Sequence, residues 1–227
     1  MTFFLSVFFM LYGGLHLYAF VKARAALGFG FHTGLCLCLF MAAMTVAPAI
    51  VHLLEKAGSD LLARLVSFVG YSWMGILFLF CSLSLVIDFY HLLLFMGRFF
   101  LATDLSHLKV SGHYAFVIPL LFALSIAIYG YFEARDIRTE KLTIRTSKIP
   151  KEVGSLKIVQ ISDVHLGLIV RQDRLERILQ KVRTADPDIL VSTGDLVDGQ
   201  INGLPGLAEL FREINPRYGK FAITGNH

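Results

Sequence analysis

The chain has 227 residues, 56% of them hydrophobic and only 17% charged, with a formal net charge of +4. An ordinary soluble domain carries about 25% charge, so a single soluble globule is excluded, as are a disordered tail and a collagen-like fibre. The positive charge is dispersed, and no Lys/Arg-rich block of the kind that marks nucleic-acid binding is present.

Charge divides the chain in two. Residues 1–130 hold 6 Lys/Arg and 4 Asp/Glu, whereas residues 131–227 hold 15 and 13. Four stretches, 2–21, 25–54, 65–87 and 110–132, are free of Asp, Glu, Lys and Arg. Each reaches the roughly 20 apolar residues that a membrane span requires. A segment in hydrocarbon must satisfy its own backbone hydrogen bonds, so all four are predicted as helices. Residues 1–132 therefore read as a four-helix transmembrane domain. The first stretch lacks the basic flank of a signal peptide and is followed by three more spans, so it reads as a true span. The second is too long for one span, which places its 28–34 end in the interface, and Pro48 is expected to kink it. The apolar run 89–101, broken by Arg98, either extends the third helix or lies flat on the surface.

Four spans leave both termini on one side. That side holds Lys56, Arg64, Arg135, Arg138, Lys141, Arg145, Lys148 and Lys151, against Lys22, Arg24, Arg98 and Lys109 on the other. The positive-inside rule then puts the C-terminal part in the cytoplasm, with an external placement as the alternative should a span be missed. His16, His32, His52, His91, His107 and His113 sit in or beside the spans. They read either as haem ligands or a proton path, or as histidines near helix ends bonded to neighbours, and the second reading is preferred. Asp88 reads as a solvated cap at the end of a span. Cys36, Cys38 and Cys81 form no disulfide framework. Cys36 and Cys38, two apart, face different sides of a helix and make no metal site with His32.

Residues 133–156 are polar, with Pro150 and Gly154 as breakers, and read as a linker. Within it, 141–146 alternates apolar and polar and predicts a short edge strand. A regular pattern follows: a buried strand at 157–162, a helix at 171–184 with apolar residues at 175, 178, 179 and 182, a second buried strand at 188–193, a helix at 204–213 and a third strand at 220–224. Strands alternating with helices predict a parallel α/β sheet. Directly after the three strands come Asp163-Val164-His165, Gly194-Asp195-Leu196-Val197-Asp198 and Gly225-Asn226-His227. Ligands bind beyond the carboxyl ends of parallel strands. Carboxylate, imidazole and amide donors gathered on that rim suit Mn, Fe or Zn. The glycines before Asp195 and Asn226 permit tight turns directly after a strand.

In this order and at these intervals, Asp-x-His, Gly-Asp-x-x-Asp and Gly-Asn-His resemble the first three motifs of the calcineurin-like metallophosphoesterases. Several spans ahead of the domain resemble that superfamily's membrane-anchored phosphohydrolases. The resemblance covers about 137–227 and implies a fold and a chemistry for that part only. It implies that residues 157–227 are the N-terminal part of a phosphoesterase domain holding two divalent metal ions. Asp163 and His165 would ligate the first ion, Asp195 would bridge both and Asn226 would bind the second. His227 would stand beside the scissile phosphate, and Asp198 would support the site from behind the ligands. The family pattern continues with a further histidine and a Gly-His-x-His motif, which this sequence does not contain. The expectation is therefore a fragment of a longer enzyme, weakly active or inactive by itself, with an open edge on its third strand. The expected partners are the bilayer and a phosphorylated substrate, lipid-linked in one reading. The alternative function is a non-enzymatic membrane protein (haem carrier, small transporter or scaffold) with a degenerate soluble tail.

Overall fold

The computed structural model describes residues 2–101, 103–198 and 207–225. The chain divides into two compact units, Met1–Arg135 and Asp136–His227.

The first unit consists of α1 (Thr2–Leu27), α2 (Phe31–Lys56), α3 (Asp60–Leu101) and α4 (Gly112–Glu133). All four are long and apolar enough to cross a membrane. Gly28, at φ 58°, ends α1, and α2 begins three residues later. Pro48 and Pro119 lie inside α2 and α4. The shared core takes Tyr12 and Ala19 from α1, Met41 from α2, Leu77, Phe80 and Cys81 from α3 and Ala123 from α4. Lipid offers no hydrophobic gain for helix association, so close backbone approach has to supply the attraction. At Gly70 a side chain would come within 3.0 Å of the Ala47 methyl, which puts α2 and α3 in that kind of contact.

Between its two alternatives, the run 89–101 extends α3. The 42-residue helix is about 63 Å long, roughly twice the hydrocarbon thickness of a bilayer. The chain then folds back along it. A side chain at Gly97 would meet Leu105 at 3.1 Å, and the Tyr90 hydroxyl donates to the Leu108 carbonyl at 3.0 Å. In the returning segment Asp104 accepts from the backbone N–H and hydroxyl of Ser106. These bonds hold its carboxyl below the usual range.

Two polar nodes in the helices differ from the sequence expectation. His16 is not near a helix end but 4% exposed in the bundle. Its Nδ1 lies 2.8 Å from the Tyr12 carbonyl oxygen and must donate to it. Its Nε2 therefore accepts from the Trp73 indole at 2.9 Å, and both ring nitrogens are engaged. Asp88 is not a helix cap. It lies inside α3, where it accepts from Lys22 Nζ and, at 2.6 Å, from the Tyr18 hydroxyl. Because α3 continues past it, its partner has to come from α1.

The second unit is a three-stranded parallel sheet in the order β1 (Ile158–Ile161), β2 (Ile189–Ser192), β3 (Lys220–Ala222). Helices α5 (Gln172–Ala185) and α6 (Leu207–Arg212) connect the strands. The helix expected at 204–213 is thus found from Leu207; residues 204–206 lie outside the described ones. The apolar stripe of α5 buries Leu175, Leu179 and Val182 against Val164, Leu166, Leu190 and Ile214. Val159 and Ile161 face this core, while the alternate residues Ile158 and Phe221 are 56% and 59% exposed on the other face. The edge strand expected at 141–146 does not form, since residues 134–157 carry neither helix nor strand. Leu142 and Ile144 are 86% and 76% exposed, and an alternating pattern without a neighbouring strand has no ladder to join.

Trp73→Phe should leave His16 Nε2 buried without its donor. A loss of about 1 kcal/mol is expected, read as a lower unfolding midpoint when the detergent-solubilised protein is titrated with a denaturing detergent.

Candidate metal centre

The site grows from the ends of β1 and β2. In a parallel sheet all carboxyl ends lie on one rim, and here backbone bonding continues past the strands. Thr193 N–H donates to Ile161 O at 3.0 Å, Asp163 N–H to Gly194 O at 3.2 Å, His165 N–H to Asp195 O at 2.9 Å and Leu166 N–H to Leu196 O at 3.0 Å. The loops after β1 and β2 are therefore laced together. Alternation completes the placement. Val164 and Leu166, 7% and 0% exposed, anchor the first loop in the core, while the alternate residues Asp163 and His165 stay open to the rim.

Asp163, His165 and Asp195 each offer a ligand atom, and these atoms all lie within 4.8 Å of one another. All three residues occupy the left-handed region, at φ 52°, 50° and 45°. Asp and His are among the side chains that tolerate this region best, yet it still costs on the order of 1 kcal/mol or more per residue. Three such residues in one cluster mark a site whose geometry the surrounding loops impose. Two carboxylates and an imidazole match the donor preferences of Mn, Fe and Zn, so the residues present fit a divalent ion.

Two glycines make room. Gly194, at φ 116°, supports the turn reading. Gly225 does not need positive φ, and its demand is steric. A side chain there would come within 2.0 Å of Asp195 Oδ1 and 2.6 Å of the Asp195 backbone nitrogen. The loop after β3 thus lies directly against Asp195. Asp198 stands apart from the three-ligand cluster. Its N–H donates to Leu166 O at 2.8 Å, and its backbone oxygen limits space at Gly167 to 3.1 Å. Asn226 and His227, expected at the second ion and at the phosphate, lie outside the described residues. Sequence reasoning passed over Ser162, whose hydroxyl donates to the Asp163 carboxylate. Its only signal was adjacency to the Asp-x-His motif.

Gly225→Ala should displace Asp195 without touching any ligand atom chemically. Mn(II) affinity, followed by electron paramagnetic resonance, is expected to fall at least about tenfold, with the circular dichroism of the protein retained.

Comparison with known proteins agrees with this geometry. Residues 156–227 match the sequence profile of the calcineurin-like phosphoesterases. An uncharacterized metallophosphoesterase of Aquifex aeolicus is 44% identical over 108 residues, 48% of this chain and 41% of that protein. A bovine transmembrane protein with metallophosphoesterase domain is 28% identical over 169 residues, 72% of this chain and 37% of the relative. That stretch is longer than the second unit, so the likeness reaches into the helical unit. The UDP-2,3-diacylglucosamine pyrophosphatase LpxG of Chlamydia muridarum is 36% identical over 91 residues, 38% of this chain and 28% of the relative. The chain thus matches less than half the length of each of these relatives. No solved structure matches it significantly. Four apolar helices, a transmembrane relative and a candidate ligand cluster at the sheet's carboxyl rim converge on one description: a membrane protein whose residues 156–227 match the calcineurin-like metallophosphoesterases.

Proposed function

We propose that this protein is a membrane-anchored phosphoesterase dependent on two divalent metal ions, hydrolysing a phosphomonoester, phosphodiester or pyrophosphate at the membrane surface. The observation that carries the reading is the convergence of Asp163, His165 and Asp195 within 4.8 Å on the rim of a parallel sheet. Divalent ions held there would supply Lewis acidity and a water poised for attack on phosphorus. Asp163 and His165 would hold one ion, with the Ser162 hydroxyl orienting the Asp163 carboxylate. Asp195 lies in the loop after the middle strand and is flanked by the loop after β1 and by Gly225 after β3. From there its carboxylate would be shared between the two ions. Asn226 would complete the second ion's shell from the β3 side, and His227 would protonate the leaving oxygen.

The substrate class we favour is a phosphorylated lipid or lipid-linked nucleotide. A membrane unit raises the local concentration of such a substrate at the enzyme. The Chlamydia relative is, by its name, a pyrophosphatase for a diacylated glucosamine nucleotide. The excess of Lys and Arg at the ends of α2 and α4 supports a cytoplasmic phosphoesterase unit.

The protein purified from its own membranes should hydrolyse bis(p-nitrophenyl) phosphate or p-nitrophenyl phosphate when supplied with Mn(II), and lose the activity to a chelator. Asp195→Asn should lower kcat at least about 100-fold, beyond what loss of a supporting partner costs. Activity indifferent to chelation or to Asp195→Asn would overturn the reading.

A further inference from the structure

The segment that follows α4 carries more chemistry than a spacer needs. Residues 141–151 contain Lys141, Arg145, Lys148 and Lys151 and no acidic residue. All four cations are exposed, and none is ion-paired with a described residue. The flanking acids are Asp136, Glu140 and Glu152, and Asp136 is already paired with Arg138 at 2.7 Å. The chain runs without a turn or bend from residue 136 to 146. Along extended chain, successive side chains alternate between two sides. Leu142 and Ile144 therefore share one side, and Lys141 and Arg145 the other. These two are the most exposed large apolar side chains described in the second unit.

Position narrows the choice of partner. Near the end of α4 the Arg135 guanidinium donates to the Tyr131 hydroxyl at 2.7 Å, the mixture of aromatic and cationic side chains that marks a membrane–water interface. Leu142 lies nine residues past the last residue of α4, Glu133. Fully extended, nine residues reach about 30 Å, so Leu142 and Ile144 are tethered within reach of the headgroup layer. A second copy of the segment is a poor cover, because it would add four more cations to these four. An anionic bilayer surface answers both sides at once. It takes apolar side chains into its interfacial layer and pairs cations with lipid phosphates.

We propose that residues 141–151 form a membrane-surface strap. Leu142 and Ile144 enter the interfacial layer, while Lys141, Arg145, Lys148 and Lys151 bind the phosphates of anionic phospholipid headgroups. The strap is independent of what the metal centre hydrolyses.

The test uses the whole protein carrying Leu142→Trp, in nanodiscs of phosphatidylcholine with or without phosphatidylglycerol. The emission added at position 142 is read as the difference from the unaltered protein, whose sole tryptophan is Trp73. With phosphatidylglycerol it should shift to the blue, be quenched by a phosphatidylcholine brominated high in its acyl chains, and be shielded from aqueous acrylamide. Salt at about 1 M, where the screening length is about 3 Å, should reverse all three. Each cation replaced by glutamine should lower the ratio of immersed to free segment about fivefold. Replacing all four should leave quenching no stronger with phosphatidylglycerol than without it. All five positions are exposed, so circular dichroism should be unchanged in every variant. Bromine quenching that is equal in the two lipids, or unchanged by the four substitutions, would overturn the proposal. Acrylamide shielding that is the same in both lipids and in high salt would assign the segment to a strand edge of the protein, and would overturn it too. Shielding that appears only as the protein-to-lipid ratio rises would assign it to a second copy of the chain, with the same consequence.

Discussion

Backbone hydrogen bonds that run past the ends of β1 and β2 are the constraint on which the metal centre depends. Asp163 N–H to Gly194 O and His165 N–H to Asp195 O tie two loops into one rigid rim. Without them, three residues at positive φ would relax into ordinary conformations and their ligand atoms would separate. The ties themselves rest on burial. Val164 and Leu166 are held in the α5-covered core, which fixes the alternate residues outward. Hydrophobic packing on one face of the sheet thus sets the position of polar donors at its edge.

The same demand for backbone partners shapes the helical unit in another way. There the helices satisfy their own backbones, and side chains decide how they pack. Two polar nodes tie α1 to α3. One is the Tyr12–His16–Trp73 chain inside the bundle, and the other is the Tyr18–Lys22–Asp88 cluster about a turn and a half further along α1. Polar contacts between helices are individually modest in lipid. Their value here is in register: with both nodes made, α1 cannot slide or rotate against α3 without leaving a polar group unpartnered.

The two units join unlike chemistries in one chain. Water-accessible carboxylates and an imidazole collect at a sheet edge, and apolar helices hold the chain in hydrocarbon. A phosphate ester needs the first, and a lipid substrate needs the second nearby. This pairing is the physical basis of the proposal that the protein is an enzyme of the membrane surface.

Much of this was readable from residue order alone. Uncharged runs longer than a span determine helices in lipid because no other backbone arrangement is satisfied there. Alternating apolar runs and an amphipathic stripe determined the β-α-β order, and the residues placed directly after the first two strands include the three whose donor atoms converge. Boundaries of α5 and β2 were predicted within a residue at each end because local periodicity carries them. What depended on distant partners was hidden. The alternation at 141–146 looked like a strand, but a strand exists only beside another. Asp88 looked like a cap because its partner Lys22 is 66 residues away in sequence. His16 looked interfacial because nothing local announces Trp73. Gly225 looked like a turn glycine, and only the folded loops reveal that it yields space to Asp195. Local propensity and hydrophobic pattern are written residue by residue; steric room and ion pairing are properties of neighbours that only tertiary packing brings together.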